Sequence, residues 1–511
     1  MPPGVDFIPV KIPFAVLRWR QLPQMPIATL NMVRVDRRQK APLQSQLYRQ
    51  IRELIMSGQL QGGLRLPSTR DLVGQLGVSR NTIVYALDQL VAEGYLRSRT
   101  GSGIYVEDLP GRNSNLATTT HNDGEAVSLS FSERVQRFSQ LRISPPYSTN
   151  RIRPFRPCQP ATDHFPLRNW NRARSYALRT ETSALLIESD AAGLPRLRTA
   201  LATYLRESRG VRCTADHIIV TTGTQQTLSL IADCFVKRAD PVWIEDPGYL
   251  GARAAFLRAG ARLVPVSVDQ DGLRVASKAT RPRLIYTTPS RQFPLGVTMS
   301  LPRRLALLEF ARSAGAWVIE DDYDSEFRYL DRPLPALQGL ADDCVIYAGT
   351  FSKVLFQSLR LGYVVVPERL IAVLRKAKEV HDGSTSALDQ ATAAIFIEEG
   401  FFSTHVRRMR KLYRERRDTF LHESRKHLSG VIDFPKVDAG MDVVGNLPAD
   451  CDDEQVSQLL ASRGIDVPSL SAYSLQSSLS GLVFGFTAFT GPQTRSAVRS
   501  IAELTRSLQD G

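Results

Sequence analysis

No apolar run in this sequence approaches the roughly 20 residues that a membrane-spanning helix requires, so no membrane partner is expected. Cysteine is sparse and unpatterned: Cys158, Cys213, Cys234, Cys344 and Cys451 are scattered, odd in number and without CxxC spacing. That argues against a disulfide framework or a zinc ribbon, and reads as reduced thiols in a cytoplasmic protein. Internal repeats are absent, which excludes a solenoid. Nor is there a signal-peptide core, since Phe14–Leu17 is too short and runs into Arg18 and Arg20. Residues 1–40 therefore read as a Pro-rich, basic extension, or as the product of a start codon placed too far upstream.

What is present is length and positive charge. A chain of 511 residues predicts more than one domain, with 43% hydrophobic and 23% charged residues as in ordinary soluble proteins. The formal net charge is +14, and residues 1–108 alone hold 14 Lys/Arg against 8 Asp/Glu. That local excess fits a nucleic-acid partner. Within it, Leu43, Leu47, Ile51, Leu54 and Ile55 recur at helical spacing up to Gly58. Ser68-Thr-Arg-Asp71 starts a second helix, which carries Leu72 and Leu76 and closes at Gly77. Ser79 caps a third, with Ile83, Val84, Leu87, Leu90 and Val91 turned inward and a stop at Gly94. Helix, tight glycine turn, helix is the pattern of a helix-turn-helix. Its third helix would enter the major groove at the amino end, where Ser79, Arg80, Asn81 and Thr82 are exposed. Tyr95–Arg99 and Gly103–Val106 then form a hairpin across Thr100, Gly101, Ser102 and Gly103. With Arg97 and Arg99 beside it, this wing suits phosphate or minor-groove contact. From 109 to 154 the chain is polar and proline-bearing, a linker with room for one short helix near Ser132–Phe138.

The stretch around which the rest is organised is Val345–Tyr363. An apolar strand leads to Thr350, Ser352 and the single Lys353, and Arg360 follows. A lysine flanked by hydroxyls suits a Schiff base beside a phosphate, which Arg360 can pair bidentately. A surface turn would account for the same residues, were it not for Trp317–Phe327 upstream. There a second apolar strand ends in Glu320, Asp321 and Asp322, then Tyr323. Acids at the carboxyl end of a buried strand lie where open α/β sheets bind ligands. An aspartate there can keep a pyridine nitrogen protonated, and a tyrosine can reach the ring hydroxyl oxygen. A metal site is the weaker alternative, because no histidine accompanies these acids. Earlier, Ile218–Leu228 reads as strand, glycine turn and helix start, with Gly223, Thr224 and Gln225 as a phosphate cradle. Val242–Tyr249 reads as strand and turn, with Tyr249 either stacking on a pyridine ring or simply packed beneath a loop.

Those residues carry a resemblance. Residues from about 150 to the end look like a fold-type I aminotransferase, the large pyridoxal-phosphate (PLP) family. Glu320–Tyr329 and Gly349-Thr-Phe-Ser-Lys353 resemble the MocR group of transcription regulators, in which such a domain follows a GntR-type DNA-binding domain. Arg65–Arg70 and Leu76–Thr82 are similar to GntR sequences, which adds Arg65, Ser68 and Arg70 to the expected DNA-contacting set. His164–Trp170 is similar to the entry segment of the MocR effector domain. The resemblance implies an α+β winged helix-turn-helix over 41–108, a linker over 109–154 and an α/β fold-type I aminotransferase-like domain over 155–511. A smaller helix-and-strand subdomain is expected from about 400. It further implies a domain-swapped, head-to-tail homodimer, PLP on Lys353, and Asp321 rather than Asp322 at the pyridine nitrogen.

Departures from the pattern narrow the function. The late strand that holds the substrate-carboxylate arginine in aminotransferases reads Gly481–Ala488 here, with no arginine. Leu250-Gly251 stands after Tyr249, where some MocR proteins place an arginine for an amino-acid effector. Arg291 and Asp442 each stand where the family has histidine. In the helix that opens with 404–417, Val406, Met409, Tyr413 and Phe420 share one face, and most of the arginines on the others are expected in solvent, a basic path for DNA being the alternative. An intact cofactor set beside an eroded amino-acid clamp implies a regulator, not an enzyme, that binds operator DNA and senses PLP, and hence controls vitamin B6 synthesis. The alternatives are a PLP-dependent aminotransferase with an appended DNA-binding domain, and a regulator sensing an amine or amino acid through the bound cofactor.

Overall fold

A computed structural model describes residue 30 and residues 32–108, 143–145, 152–187, 190–275, 281–329, 334–448 and 450–509. The chain divides into two compact units, one within residues 1–129 and one within 130–511. The short helix expected near Ser132–Phe138 and nearly all of the linker fall outside the described residues.

In the first unit three helices, α1 (Leu43–Met56), α2 (Thr69–Leu76) and α3 (Arg80–Ala92), precede an antiparallel hairpin of β1 (Leu96–Arg99) and β2 (Gly103–Val106). The boundaries follow from local chemistry. Ser68 and Asp71 form a reciprocal capping box at α2, and Gly77 ends that helix in the left-handed conformation at φ 63°. Ser79 caps α3 by accepting from the Thr82 amide at 3.2 Å. Leu47, Ile51, Ile55, Leu72, Ile83, Leu87 and Leu90 meet in the core, as the spacing predicts, and Ala86 joins them. Val84 and Val91 are only half-buried.

One boundary differs. Leu30 and Val33, read as part of an extension, are buried in this core. Gln50 exchanges hydrogen bonds with the Arg34 backbone, and Gln46 does the same for Asp36. Two isolated apolar residues in an irregular segment carry no periodic signal, so the pattern gave no sign of them.

The second unit is built on an eight-stranded sheet in the order β3-β10-β9-β8-β7-β4-β5-β6. Here β3 is Ile218–Thr221, β4 Pro241–Asp246, β5 Arg262–Asp269, β6 Gly272–Leu273, β7 Leu284–Thr287, β8 Trp317–Asp322, β9 Val345–Thr350 and β10 Gly362–Val365. Strands β5, β4, β7, β8 and β9 run parallel. Apolar residues fill β3, β7 and β9 continuously, as strands covered on both faces require. This meets the expected α/β fold class. Among the described residues, no helix is long and apolar enough to cross a membrane.

Beyond the 28-residue helix Phe401–Leu428, a pair of antiparallel strands, β11 (Asp442–Asn446) and β12 (Gly481–Gly485), forms a second small sheet. Val406, Met409, Tyr413 and Phe420 are buried along one face of that helix. Its arginines are less solvated than expected. Arg416 and Arg417 are buried, donating to the carbonyls of Thr487 and Val437, and Arg417 stacks on Tyr329 at 4.7 Å. Arg410 and Arg414 donate to the Glu326 and Tyr329 carbonyls. Guanidinium groups here satisfy loop carbonyls that have no strand partner.

Leu30→Ala should destabilise the first unit by about 2–4 kcal/mol, the usual cost of truncating a buried leucine. Hydrogen exchange at α1 amides measures it. Met32→Ala, at a side chain 64% exposed, should leave exchange unchanged; equal protection in both variants would place residue 30 outside the core.

Candidate functional site

Parallel register brings the carboxyl ends of the central strands together. Asp321 on β8 lies opposite Ala348 on β9, and Asp322 opposite Gly349. β10 pairs Gly362 with both Thr350 of β9 and Thr221 of β3. Three strand ends thus open into one cavity of about 240 Å³. All ten residues expected at a cofactor line it: Lys353, Asp321, Tyr323, Tyr249, Gly223, Thr224, Gln225, Thr350, Ser352 and Arg360.

At one end the helix Thr224–Phe235 begins at Gly223, whose φ of 122° only glycine adopts readily. The Arg360 guanidinium lies about 3.7 Å from where a Cβ of Gly223 would stand. Arg360 is itself a non-glycine residue in the left-handed region, at φ 50° and ψ 50°, a strained conformation of the kind found at ligand sites. Free helix amides, two hydroxyls and a guanidinium converge there, the chemistry of a phosphate site.

At the other end is Asp321, only 4% exposed. Its Oδ2 accepts from the Tyr286 hydroxyl at 2.7 Å, whereas Oδ1 is buried without a partner. Burial pushes its carboxyl up to about 7, helped by Asp322 and Glu245 and opposed by Tyr286 and Lys353. Asp322 also has a buried, unpartnered Oδ1 but does not line the cavity. Its Oδ2 accepts from Arg209 Nε at 2.8 Å, from the Tyr347 hydroxyl at 2.6 Å and from the Ser325 hydroxyl at 3.0 Å.

Between the two ends, Lys353 Nζ donates to the Cys158 carbonyl at 3.3 Å. Tyr249 lies against Gly251: a Cβ on that glycine would stand 2.4 Å from the tyrosine ring and 2.5 Å from Gln225 Oε1. Position 251 therefore has no space for any side chain while Tyr249 keeps its place.

Cys158, Tyr286, Thr288, Phe293 and Gln357 also line the cavity and were not expected. Cys158 comes from a loop remote in sequence, and Tyr286 and Thr288 from the end of β7, so only the strand order locates them. The two departures noted above prove to be neighbours. Arg291 Nη1 donates to the Tyr323 hydroxyl oxygen at 2.9 Å and lies 3.3 Å from Asp324 and 3.8 Å from Asp442. Its Nη2 donates to the Asp442 carbonyl. Asp442 in turn accepts from the Cys158 amide at 2.6 Å and from its thiol at 3.3 Å. Burial and Asp442 both push that thiol up, so Cys158 stays protonated and is no nucleophile.

In the first unit the expected DNA-contacting residues lie on α2, α3 and the wing. Arg65, Ser68, Arg70, Ser79, Arg80, Asn81, Arg99, Thr100, Gly101 and Ser102 are exposed, and Thr82 and Gly103 are half-buried. The hydroxyls of Ser68, Ser79 and Thr82 are engaged in helix caps. Arg99 lies over the Tyr105 ring at 5.1 Å, and the Ser102 and Tyr105 hydroxyls are bonded at 2.6 Å, which stiffens the wing.

Comparisons with known proteins match both units. Residues 43–106 match the family of bacterial regulatory proteins of the gntR type, and residues 158–480 match aminotransferase class I and II. The chain is 39% identical to the probable rhizopine catabolism regulatory protein MocR of Rhizobium meliloti, over 94% of this chain and 97% of that one. It is 33% identical to the pyridoxine biosynthesis transcriptional regulator PdxR of Corynebacterium glutamicum, over 86% and 91%. The crystal structure of a multiple substrate aminotransferase from Thermococcus profundus superposes with a TM-score of 0.66 at 27% identity, covering 76% of this chain and 98% of that one. An α-aminoadipate aminotransferase, LysN, from Thermus thermophilus, complexed with N-(5′-phosphopyridoxyl)-L-leucine, superposes at 0.65 and 26%, over 74% and 96%.

The buried Asp321 carboxyl predicts a pH signature. Below the ordinary aspartate range both folded and unfolded chains hold its proton. Between that range and about 7 only the folded chain does, so stability falls with rising pH by about 1.4 kcal/mol per unit from this group. Asp321→Asn removes that loss. In cofactor-free protein the variant should melt higher than the parent at about pH 8 and equally at about pH 4. A lower melting temperature at the higher pH contradicts the burial argument.

Proposed function

The chain belongs to the MocR-type regulators, which join a gntR-type DNA-binding domain to an aminotransferase class I and II domain, and on that premise we propose that its larger unit binds PLP on Lys353 and signals that binding to operator DNA. The observation carrying this reading is the partnerless, buried Asp321 Oδ1 in the same cavity as Lys353 and the Gly223–Arg360 cradle. A buried acceptor without a donor is costly, and a protonated ring nitrogen is the donor it lacks.

PLP supplies an aldehyde that condenses with a primary amine and a pyridine ring that withdraws electrons. The remaining work belongs to the chain. Gly223, Thr224 and Gln225 present the start of a helix, and with Thr350, Ser352 and Arg360 they would hold the phosphate. Tyr249 would pack against the ring. Arg291 donates to the Tyr323 oxygen, which leaves the Tyr323 proton free to be given to the ring oxygen. Asp442 fixes the Cys158 carbonyl at Lys353 Nζ.

Sensing fits this cavity better than turnover does. Among the described residues that line it, Arg360 is the one guanidinium, and it stands at the phosphate end. Arg291 is occupied by Tyr323, Asp324 and the Asp442 carbonyl, and β12 carries no arginine. Among the described residues lining this cavity no further guanidinium is left to anchor an amino-acid carboxylate in the orientation that catalysis requires. PLP itself then serves as the signal, in keeping with the pyridoxine biosynthesis regulator among the relatives, and the regulated genes would be those of vitamin B6 synthesis. A second reading, a small amine as effector, is favoured by an adjoining cavity of about 310 Å³ lined by Gln159, Leu250, Phe293 and Tyr473. We place the protein in the cytoplasm as a homodimer. Leu186 and Ile187, exposed at 81% and 69%, are candidates for the covered surface.

Protein mixed with PLP should absorb at about 420 nm, as lysine-bound PLP does. Lys353→Ala should lose that band, and a band unchanged in the variant would move the attachment elsewhere.

The same samples decide function. A hundredfold preference of PLP for one DNA-binding state is worth about 2.7 kcal/mol, enough to move a balanced equilibrium almost fully. Operator affinity should therefore differ between apo and loaded protein, with no sustained transamination across a panel of amino acids and amines. Binding indifferent to PLP together with steady turnover of one amine would establish an aminotransferase instead.

A further inference from the structure

The face that α3 offers to solvent is sharply limited once its side chains are accounted for. Ile83, Ala86, Leu87 and Leu90 are buried, and Val84 is half-buried. Ser79 and Thr82 bond one another at 2.8 Å as part of the cap. Gln89 donates to Glu93 at 3.0 Å. Asp88 carries the charge that DNA phosphates repel. Besides Ala92 at its last position, three exposed side chains remain that are neither engaged within the unit nor acidic: Arg80, Asn81 and Tyr85.

Tyr85 stands out among them. It is 57% exposed and follows Asn81 by four residues, so the two lie on one face about 6 Å apart along the axis. Neither its ring nor its hydroxyl has a partner among the described residues. A large, half-apolar side chain held in water, with no role in its own fold, suits a surface that becomes covered on binding. The charges of α3 set its direction. Arg80 and the positive end of the helix lead, whereas Asp88 and Glu93 trail and keep the far end away from the sugar–phosphate backbone.

We propose that Tyr85 is a base-reading residue, its ring packing on a thymine methyl in the major groove one helical turn beyond Asn81. This rests on the DNA-binding reading of the first unit but not on PLP. Of the edges displayed in that groove, the thymine methyl is the apolar one. Arg80 at the helix entrance meets phosphate or guanine, and Tyr85 supplies preference for an A·T pair deeper along the site.

The test is selection from a pool of duplexes carrying a randomised stretch, using the full-length protein with and without added PLP, the parent against Tyr85→Ala and Tyr85→Phe. The parent should enrich one motif. Tyr85→Ala should relax preference at one or two adjacent positions of each half-site by about 10-fold, with the remaining motif, the salt dependence and the melting temperature unchanged. Tyr85→Phe should retain the A·T preference. An identical motif from Tyr85→Ala overturns the proposal, as does uniform weakening across all sequences with a shallower salt slope, which is the mark of a phosphate contact. A parent protein that enriches no sequence in either condition would instead refute the DNA-binding reading beneath it.

Discussion

Burying a carboxylate at the end of a β-strand is expensive unless donors meet it, and the larger unit buries three on β8 and another on β4. Glu320, wholly buried, accepts from the backbone amides of Leu337 and Gln338. Glu245 takes Thr287, Thr288 and Gln292. Asp322 takes Arg209, Tyr347 and Ser325. Asp321 alone faces the cavity, with one oxygen bonded and the other bare. The surrounding acids are tied to the scaffold, and Asp322 and Glu245 add to the burial that raises the pKa of Asp321, whose second oxygen stays bare.

Arg291 and Asp442 show how a family's pattern can change without losing its geometry. Each departs from a histidine position, and each would be a buried unpaired charge by itself. Together with Asp324 they form an ion cluster joining the loop after β7 to β11. The cluster fixes Tyr323 on one side and Cys158 on the other, both of which line the cavity.

Much of this was legible because its signals are local. Cap serines, the glycine turns, the apolar run before Asp321 and the hydroxyl-lysine segment each sit within a dozen residues, and all ten residues expected at the cofactor line one cavity. Contacts that depend on strand order were not legible. Tyr286 reaches Asp321 only because β7 lies beside β8, and Cys158 reaches Lys353 across 195 positions. Arginines on the helix Phe401–Leu428 look solvated by periodicity, yet two are buried, since a long side chain can cross from a polar face to a distant carbonyl. Leu30 and Val33 escaped notice because irregular segments enter a core without any repeat.

The close seat of Tyr249 on Gly251 has an evolutionary consequence. An arginine at 251 would bring a group able to pair with a carboxylate, but its Cβ would fall within 2.5 Å of the Tyr249 ring. The mutation is therefore closed unless the ring moves first, and moving the ring changes the lining of the cavity. Any lineage carrying this glycine must change two positions together, so position 251 is buffered against gaining a side chain in a single step.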